Sequence, residues 1–203
     1  MLYTKLDNLM TIFNISEIEN IIQTSPSFKS YSPVQDGNGL FYYAATEAII
    51  NQVKNILPSI LQDEAEVVLC KIYKGALPHR DHDCKCKINF YLKTGNAKTV
   101  YFSEPTIHGY SYNNDNQHNM YDIKQHRLRK TGSFIASEGE TYLLDTSQIH
   151  AVIMPEEATR IIVSISFNRS YDEILGLLTV DNNSKPCYTS ARIEKRCKFY
   201  TQD

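Results

Sequence analysis

The sequence predicts an α+β chain in which helical material precedes a β-sandwich or barrel. Before about residue 62, apolar residues recur at helical spacing. After about residue 64, short β-rich runs follow one another, separated by turn residues. With 203 residues, 42% apolar and 22% charged, the chain is long enough for one domain with a sizeable core.

The first part reads as helix and loop. Residues 16–23 (SEIENIIQ) offer Ser16 as an N-cap with acidic residues behind it. Residues 44–62 are the best helix, with Ile49, Val53 and Ile56 on one side and Ala45 and Ile50 on its flank. Pro58 should kink or end it, because proline lacks the amide hydrogen that a helix interior needs. The β-rich runs are 66–73, 86–92, 98–102, 140–145, 150–154 and 159–167, and KTGN (93–96) and KTGS (130–133) read as turns. The polar stretch 109–122, rich in Asn and Tyr, reads either as a surface loop or as a lid over a pocket. Residues 171–178 look like a short helix, and the polar tail from Asp181 packs as an extension or frays. The expected organisation is a single domain: helical support over 1–62, a β core over 64–168, and a helix with its extension over 169–203.

Charge and composition narrow the function. A net charge of −2 and a pI near 6.3 provide no strong basic field, so no stable nucleic-acid partner is expected. The run 124–130 (KQHRLRK) reads as a solvated face or strand. The N-terminus lacks a basic start followed by an apolar stretch, and no window suits a membrane span. Five cysteines, an odd number in a chain of this size, read as reduced thiols in a cytoplasmic setting.

The chemistry concentrates in ALPHRDHDCKCKINFYL. On an extended strand His79 and Asp81 point the same way, so a histidine and a carboxylate can take adjacent corners of one metal. His150, set between apolar runs far downstream, offers the third ligand. Three ligands on one face of an octahedron leave room for a bidentate cosubstrate and dioxygen, which suits non-haem iron(II). In TRIIVSISF, Ile161, Val163, Ile165 and Phe167 form one apolar face, and Arg160, Ile162, Ser164 and Ser166 form the other. A buried Arg160 requires an anion, and with Ser164 it can converge on one carboxylate of a dicarboxylate cosubstrate. Strand parity carried on from His79 places Asn89 and Tyr91 on the metal side and Ile88, Phe90 and Leu92 in the core. The same parity turns Cys84 and Cys86 away from the metal as small, partly buried residues. His82 and Asp83 support the ligands from behind or face water. His108, His118 and His126 read as surface residues.

From Val67 to Phe167 the chain resembles the 2-oxoglutarate- and iron(II)-dependent dioxygenase superfamily, in particular its small prolyl-hydroxylase-like bacterial and phage members. KIYKGALPHRD (71–81) looks like the family's tyrosine, glycine turn and H-x-D, and residues 142–167 look like its distal histidine strand, hairpin and arginine strand. The resemblance implies a double-stranded β-helix (a jelly-roll, cupin-like core) with flanking N-terminal helices. It implies Fe(II) on His79, Asp81 and His150, 2-oxoglutarate held at its far carboxylate by Arg160, and help from Tyr73. Ser164, Asn89 and Tyr91 are the other candidate contacts to the cosubstrate. Many members carry Ser or Thr two residues after the arginine; here Ile162 stands there. The implied activity is hydroxylation of a protein side chain or small molecule, with dioxygen consumed and succinate and CO2 released. The alternative is a non-catalytic cupin-like module that binds a metal or ligand, since barrels of this shape serve both purposes.

Overall fold

The computed structural model describes residues 1–7, 9, 13–31, 39–104, 112–114, 118–124 and 126–180. In chain order the elements are β1 (Tyr3–Lys5), α1 (Ile15–Thr24), β2 (Lys29–Tyr31), β3 (Gly39–Ala44), α2 (Glu47–Lys54), α3 (Ser59–Gln62), β4 (Glu66–Tyr73), β5 (Ala76–Asp81) and β6 (Cys86–Lys93). They continue with β7 (Lys98–Phe102), β8 (Tyr112–Asn114), β9 (His118–Met120), β10 (Lys130–Ile135), β11 (Thr141–Asp145), β12 (His150–Ile153), β13 (Thr159–Phe167) and α4 (Tyr171–Val180). One sheet runs β1-β11-β6-β13-β4-β3-β2, and the other runs β10-β7-β12-β5-β9-β8. Their shared core, β11-β6-β13-β4 facing β10-β7-β12-β5 with every pairing antiparallel, is the eight-stranded jelly-roll of a double-stranded β-helix.

Strand β13 lies at the centre and explains its own sequence. It pairs with β4 on one side and β6 on the other. Ile161, Val163, Ile165 and Phe167 face the helices, where they join Ile18, Ile22, Ile49, Val53, Leu61 and Ile174 in one core. Ile162 faces the opposite sheet with Cys70, Ile72, Tyr91, Tyr101 and Leu144. Both faces of β13 are therefore covered, which is why polar residues there must find partners inside.

The helices start where short polar side chains can cap them. Asn14, rather than Ser16, caps α1, accepting from the Glu17 amide at 3.3 Å. Ser16 lies inside the first turn. Thr46 caps α2 through the Ile49 amide, and Pro58 opens α3 after the break. At α4, Ser170 and Glu173 bond reciprocally in a capping box: the Ser170 amide donates to Glu173 Oε2 at 2.9 Å and the Glu173 amide to Ser170 Oγ at 3.4 Å.

The N-terminal segment is not only helical: β1, β2 and β3 extend the larger sheet at both edges, because GLFYYA pairs with β4 and Tyr3–Lys5 with β11. KTGS does not turn but opens β10, whose register shifts between Lys130 and Gly132 while it pairs with β7. Part of the polar stretch forms the hairpin strands β8 and β9, and β9 pairs with β5 directly beside the H-x-D segment. Residues 109–111 and 115–117 of the proposed lid, His108, and the tail over 181–203 lie outside the described residues. His126 is buried rather than exposed, with its ring edge-on to Tyr121. Among the described residues no helix is long and apolar enough to cross a membrane.

Candidate metal centre

The pairing of β5 with β12 places His79 directly opposite His150. Cross-strand partners lie about 5 Å apart at Cβ, and the two imidazole rings meet with centroids 4.4 Å apart. A bulge then inserts one extra residue in β5, since Val152 pairs with Ala76 rather than with Leu77. The bulge falls at Leu77 and Pro78, and Pro78 has no amide hydrogen to lose from the ladder. It leaves the Leu77 carbonyl within 2.6 Å of His79 Nδ1. Gly75 makes the preceding turn possible. Its φ is +90°, and a Cβ there would stand 2.4 Å from the Val152 carbonyl oxygen.

Ligand atoms of His79, Asp81 and His150 lie within 4.8 Å of one another, and all three residues are buried. Asp81 Oδ1 is 3.5 Å from His79 Nε2. His150 Nδ1 lies 2.9 Å from the Gln148 carbonyl. A carbonyl only accepts, so both histidines hold their proton on Nδ1 and present the Nε2 lone pair to the cavity. Backbone oxygens that fix the tautomer and the ring in this way are the usual support of a metal-binding histidine. Burial, aided by neighbouring His79, pushes His150 down to about 3, so its imidazole is neutral and able to ligate at neutral pH. Two imidazoles and a carboxylate on one side of a cavity fit a divalent metal of the iron, manganese or cobalt type.

One residue at the centre escaped the sequence reading. Lys87, on the inward face of β6, reaches Asp81 Oδ2 at 2.7 Å with a side chain only 11% exposed. Burial alone would raise Asp81, but the Lys87 charge outweighs it and holds the carboxyl well below its usual range. Burial opposes the charge on Lys87, and Asp81 more than restores it, keeping the ammonium protonated. Cys84 does not turn away: its thiol donates to Asp81 Oδ2 at 3.6 Å, and burial pushes it up to about 11, so it stays protonated. Cys86 does face away, into the helix-side core. His82 and Asp83 are exposed on the turn after β5.

These groups line one cavity that opens to solvent. Arg160, Ser164, Asn89 and Tyr91 all line it. Arg160 is 1% exposed. Its guanidinium donates to Thr99 Oγ1 at 3.0 Å and to the Ala97 carbonyl at 2.5 Å, and it lies 5.2 Å from the centre of the Tyr91 ring. Its buried Nε has no partner, and among the described residues no carboxylate pairs with it. Burial lowers its pKa, with Tyr91 and Cys70 opposing. Ser164 does not point at Arg160's far end; it donates to Asn89 Oδ1 at 2.7 Å and so orders a second polar group facing the cavity.

Tyr73 is not brought to the site. It is 37% exposed and stacks on Phe41 with centroids 5.5 Å apart. The reason is parity: β4 turns Cys70 and Ile72 inward, so Tyr73 must point out.

No protein-family model matches the chain, and no curated protein sequence matches it. Solved structures of similar shape include vicilin from hazelnut, Corylus avellana, at 17% identity and a TM-score of 0.38 over 70% of this chain and 31% of that one. Oxalate decarboxylase from Bacillus subtilis is 11% identical with a TM-score of 0.38, over 74% of this chain and 29% of its own. A cupin-like protein from Thermotoga maritima is 9% identical with a TM-score of 0.38, over 71% of this chain and 80% of its own. The chain thus spans about a third of the length of the first two.

Proposed function

We propose that this protein is an iron(II)- and 2-oxoglutarate-dependent dioxygenase that hydroxylates a small molecule or a protein side chain. The observation that carries the reading is the buried Arg160, without an acidic partner among the described residues, in the same cavity as His79, Asp81 and His150. A guanidinium out of water without an anion is costly, and a dicarboxylate bound across the cavity would relieve that cost. His79, Asp81 and His150 would hold the metal, and Arg160 with Thr99 would take the far carboxylate.

With iron(II) and 2-oxoglutarate bound, the site supplies an oxidant made as dioxygen is consumed, one oxygen atom entering succinate as CO2 is lost and the other entering the substrate C–H bond. The protein's own contribution is positional. The carbonyls of Leu77 and Gln148 fix two ligand rings, Lys87 fixes the carboxylate, and Ile72 and Val152 give the cavity an apolar wall. A reducing compartment would suit both iron(II) and the buried thiols of Cys70, Cys84 and Cys86.

The reading is tested by uncoupled turnover. Protein reconstituted with iron(II) and given 2-oxoglutarate in air should form succinate slowly without added substrate. His79→Ala and Asp81→Ala should retain no iron. A folded protein that binds iron yet forms no succinate above the free-iron background would leave a non-catalytic metal-binding module in its place.

A further inference from the structure

We infer that Lys87 forms, on the side of the metal centre away from Arg160, a binding site for a carboxylate of the substrate to be hydroxylated. The inference rests on the oxygenase reading and adds a substrate class to it.

Position comes first. On β6, Lys87, Asn89 and Tyr91 all face the cavity. Arg160 lies over Tyr91 at one end, and Lys87 lies four residues away at the other, about 13 Å along the strand. Lys87 is bonded to Asp81, and Thr99, which holds Arg160, is two residues along β7 from Tyr101, the neighbour of His150 in the ladder. A cosubstrate that reaches from the metal to Arg160 leaves the Lys87 end open for the second reactant. Cys86, the residue before Lys87, turns into the helix-side core, so Lys87 is the first inward-facing side chain at its end of β6.

Charge comes second. Among the described residues, the charged side chains lining the cavity are Arg160, Lys87 and Asp81, beside the two imidazoles, which ligate a metal as neutral rings. A divalent metal with one carboxylate ligand, one dianionic cosubstrate and one arginine sums to zero. Lys87 is one cation more than that set requires. Before the metal binds, Asp81 neutralises Lys87 at 2.7 Å. Once Asp81 also serves a dication, the ammonium is buried without a full counter-charge, an unfavourable state that a substrate anion would offset. Asp83 is exposed on the turn outside and is the nearest acid in sequence. Beside the ammonium stands Tyr42, its ring centre 5.9 Å away, which gives the apolar body of a small acid a surface to lie on.

The test uses the anaerobic protein loaded with iron(II) and saturating 2-oxoglutarate, watched by the visible band of that complex. Propionate and benzoate are titrated against propionamide and benzamide, which match them in shape but carry no charge. Acetylated aspartate N-methylamide asks whether a peptide-borne carboxylate is accepted as a free acid is. At least one acid should perturb the band at a concentration tenfold or more below its amide, Lys87→Arg should keep that preference, and Lys87→Met should lose it. Equal responses to acid and amide in the wild-type protein would overturn the inference, as would an acid preference undiminished in Lys87→Met. Should Lys87→Met lose the band through a displaced Asp81, the wild-type and Lys87→Arg titrations decide alone. Failure of the band in the wild-type protein strikes at the oxygenase reading; an intact band indifferent to acids strikes only at the role of Lys87.

Discussion

Replacing Arg160 with Met separates a ligand-binding arginine from a structural one. The thioether keeps most of the apolar stem and removes the whole guanidinium. In the ligand-free protein two effects oppose each other. The Thr99 hydroxyl and the Ala97 carbonyl lose their donor, which costs about 1–3 kcal/mol. The burial of a charge without an anionic partner among the described residues is relieved, which returns an amount of the same order. The expected net change is within about 2 kcal/mol either way, or roughly 4–8 °C in Tm for a chain of this size. The cosubstrate, in contrast, would lose two charge-assisted hydrogen bonds of about 1.5–3 kcal/mol each, weakening it roughly 10²- to 10⁴-fold. Anaerobic titration of the iron-loaded protein gives the affinity, and melting with and without 2-oxoglutarate gives the stability shift. A dissociation constant within threefold of wild type would refute the role given to Arg160. A ligand-free Tm lower by well over 10 °C would make it a structural residue instead.

Other perturbations follow from the same geometry. Asp81→Asn should abolish metal retention and, by leaving Lys87 buried beside a neutral amide, cost about 3–5 kcal/mol in urea unfolding; the pair Asp81→Asn with Lys87→Met should regain much of that stability but not the metal. An Asp81→Asn protein as stable as wild type would show that the ion pair is not buried as described. His150 is held near 3 in the fold against an ordinary 6.5. Below about 6.5 the unfolded chain therefore takes up a proton that the folded one refuses, and the metal-free protein should lose stability as pH falls towards about 3, by up to about 1.4 kcal/mol per pH unit. His150→Asn should flatten that part of the acid profile, and an unchanged acid midpoint would count against it. Gly75→Ala forces a side chain into a φ of +90° and against the Val152 carbonyl, so it should cost about 1–3 kcal/mol and weaken metal binding through the displaced β12; a Tm within 1 °C of wild type would contradict this.

Much of the site could be read from alternation along single strands. TRIIVSISF is covered on both faces, and its two-residue period sorted Ile161, Val163 and Ile165 from Arg160, Ile162 and Ser164 correctly. Asn89 and Tyr91 were also placed correctly, though on a faulty premise: β5 and β6 lie in different sheets, so no continuous strand links them to His79. What escaped the sequence depended on which sheet faces which. Lys87 alternates with apolar neighbours like a solvent-facing lysine, and only the apposition of β6 to β5 brings it to Asp81. Tyr73 was carried over by likeness against the parity of its own strand. Cys84 lies on the turn between β5 and β6, where strand alternation does not apply. The hairpin of β8 and β9 is built from Asn and Tyr without an apolar period, so pattern alone could not distinguish it from a loop.

The most direct test of the central claim is an anaerobic titration of the metal-free protein with iron(II), then with 2-oxoglutarate. Iron alone should leave the visible spectrum bare, and the cosubstrate should raise a weak charge-transfer band that saturates at one equivalent per chain and is lost in His79→Ala. A folded, iron-retaining protein whose spectrum does not change when 2-oxoglutarate is added would contradict it.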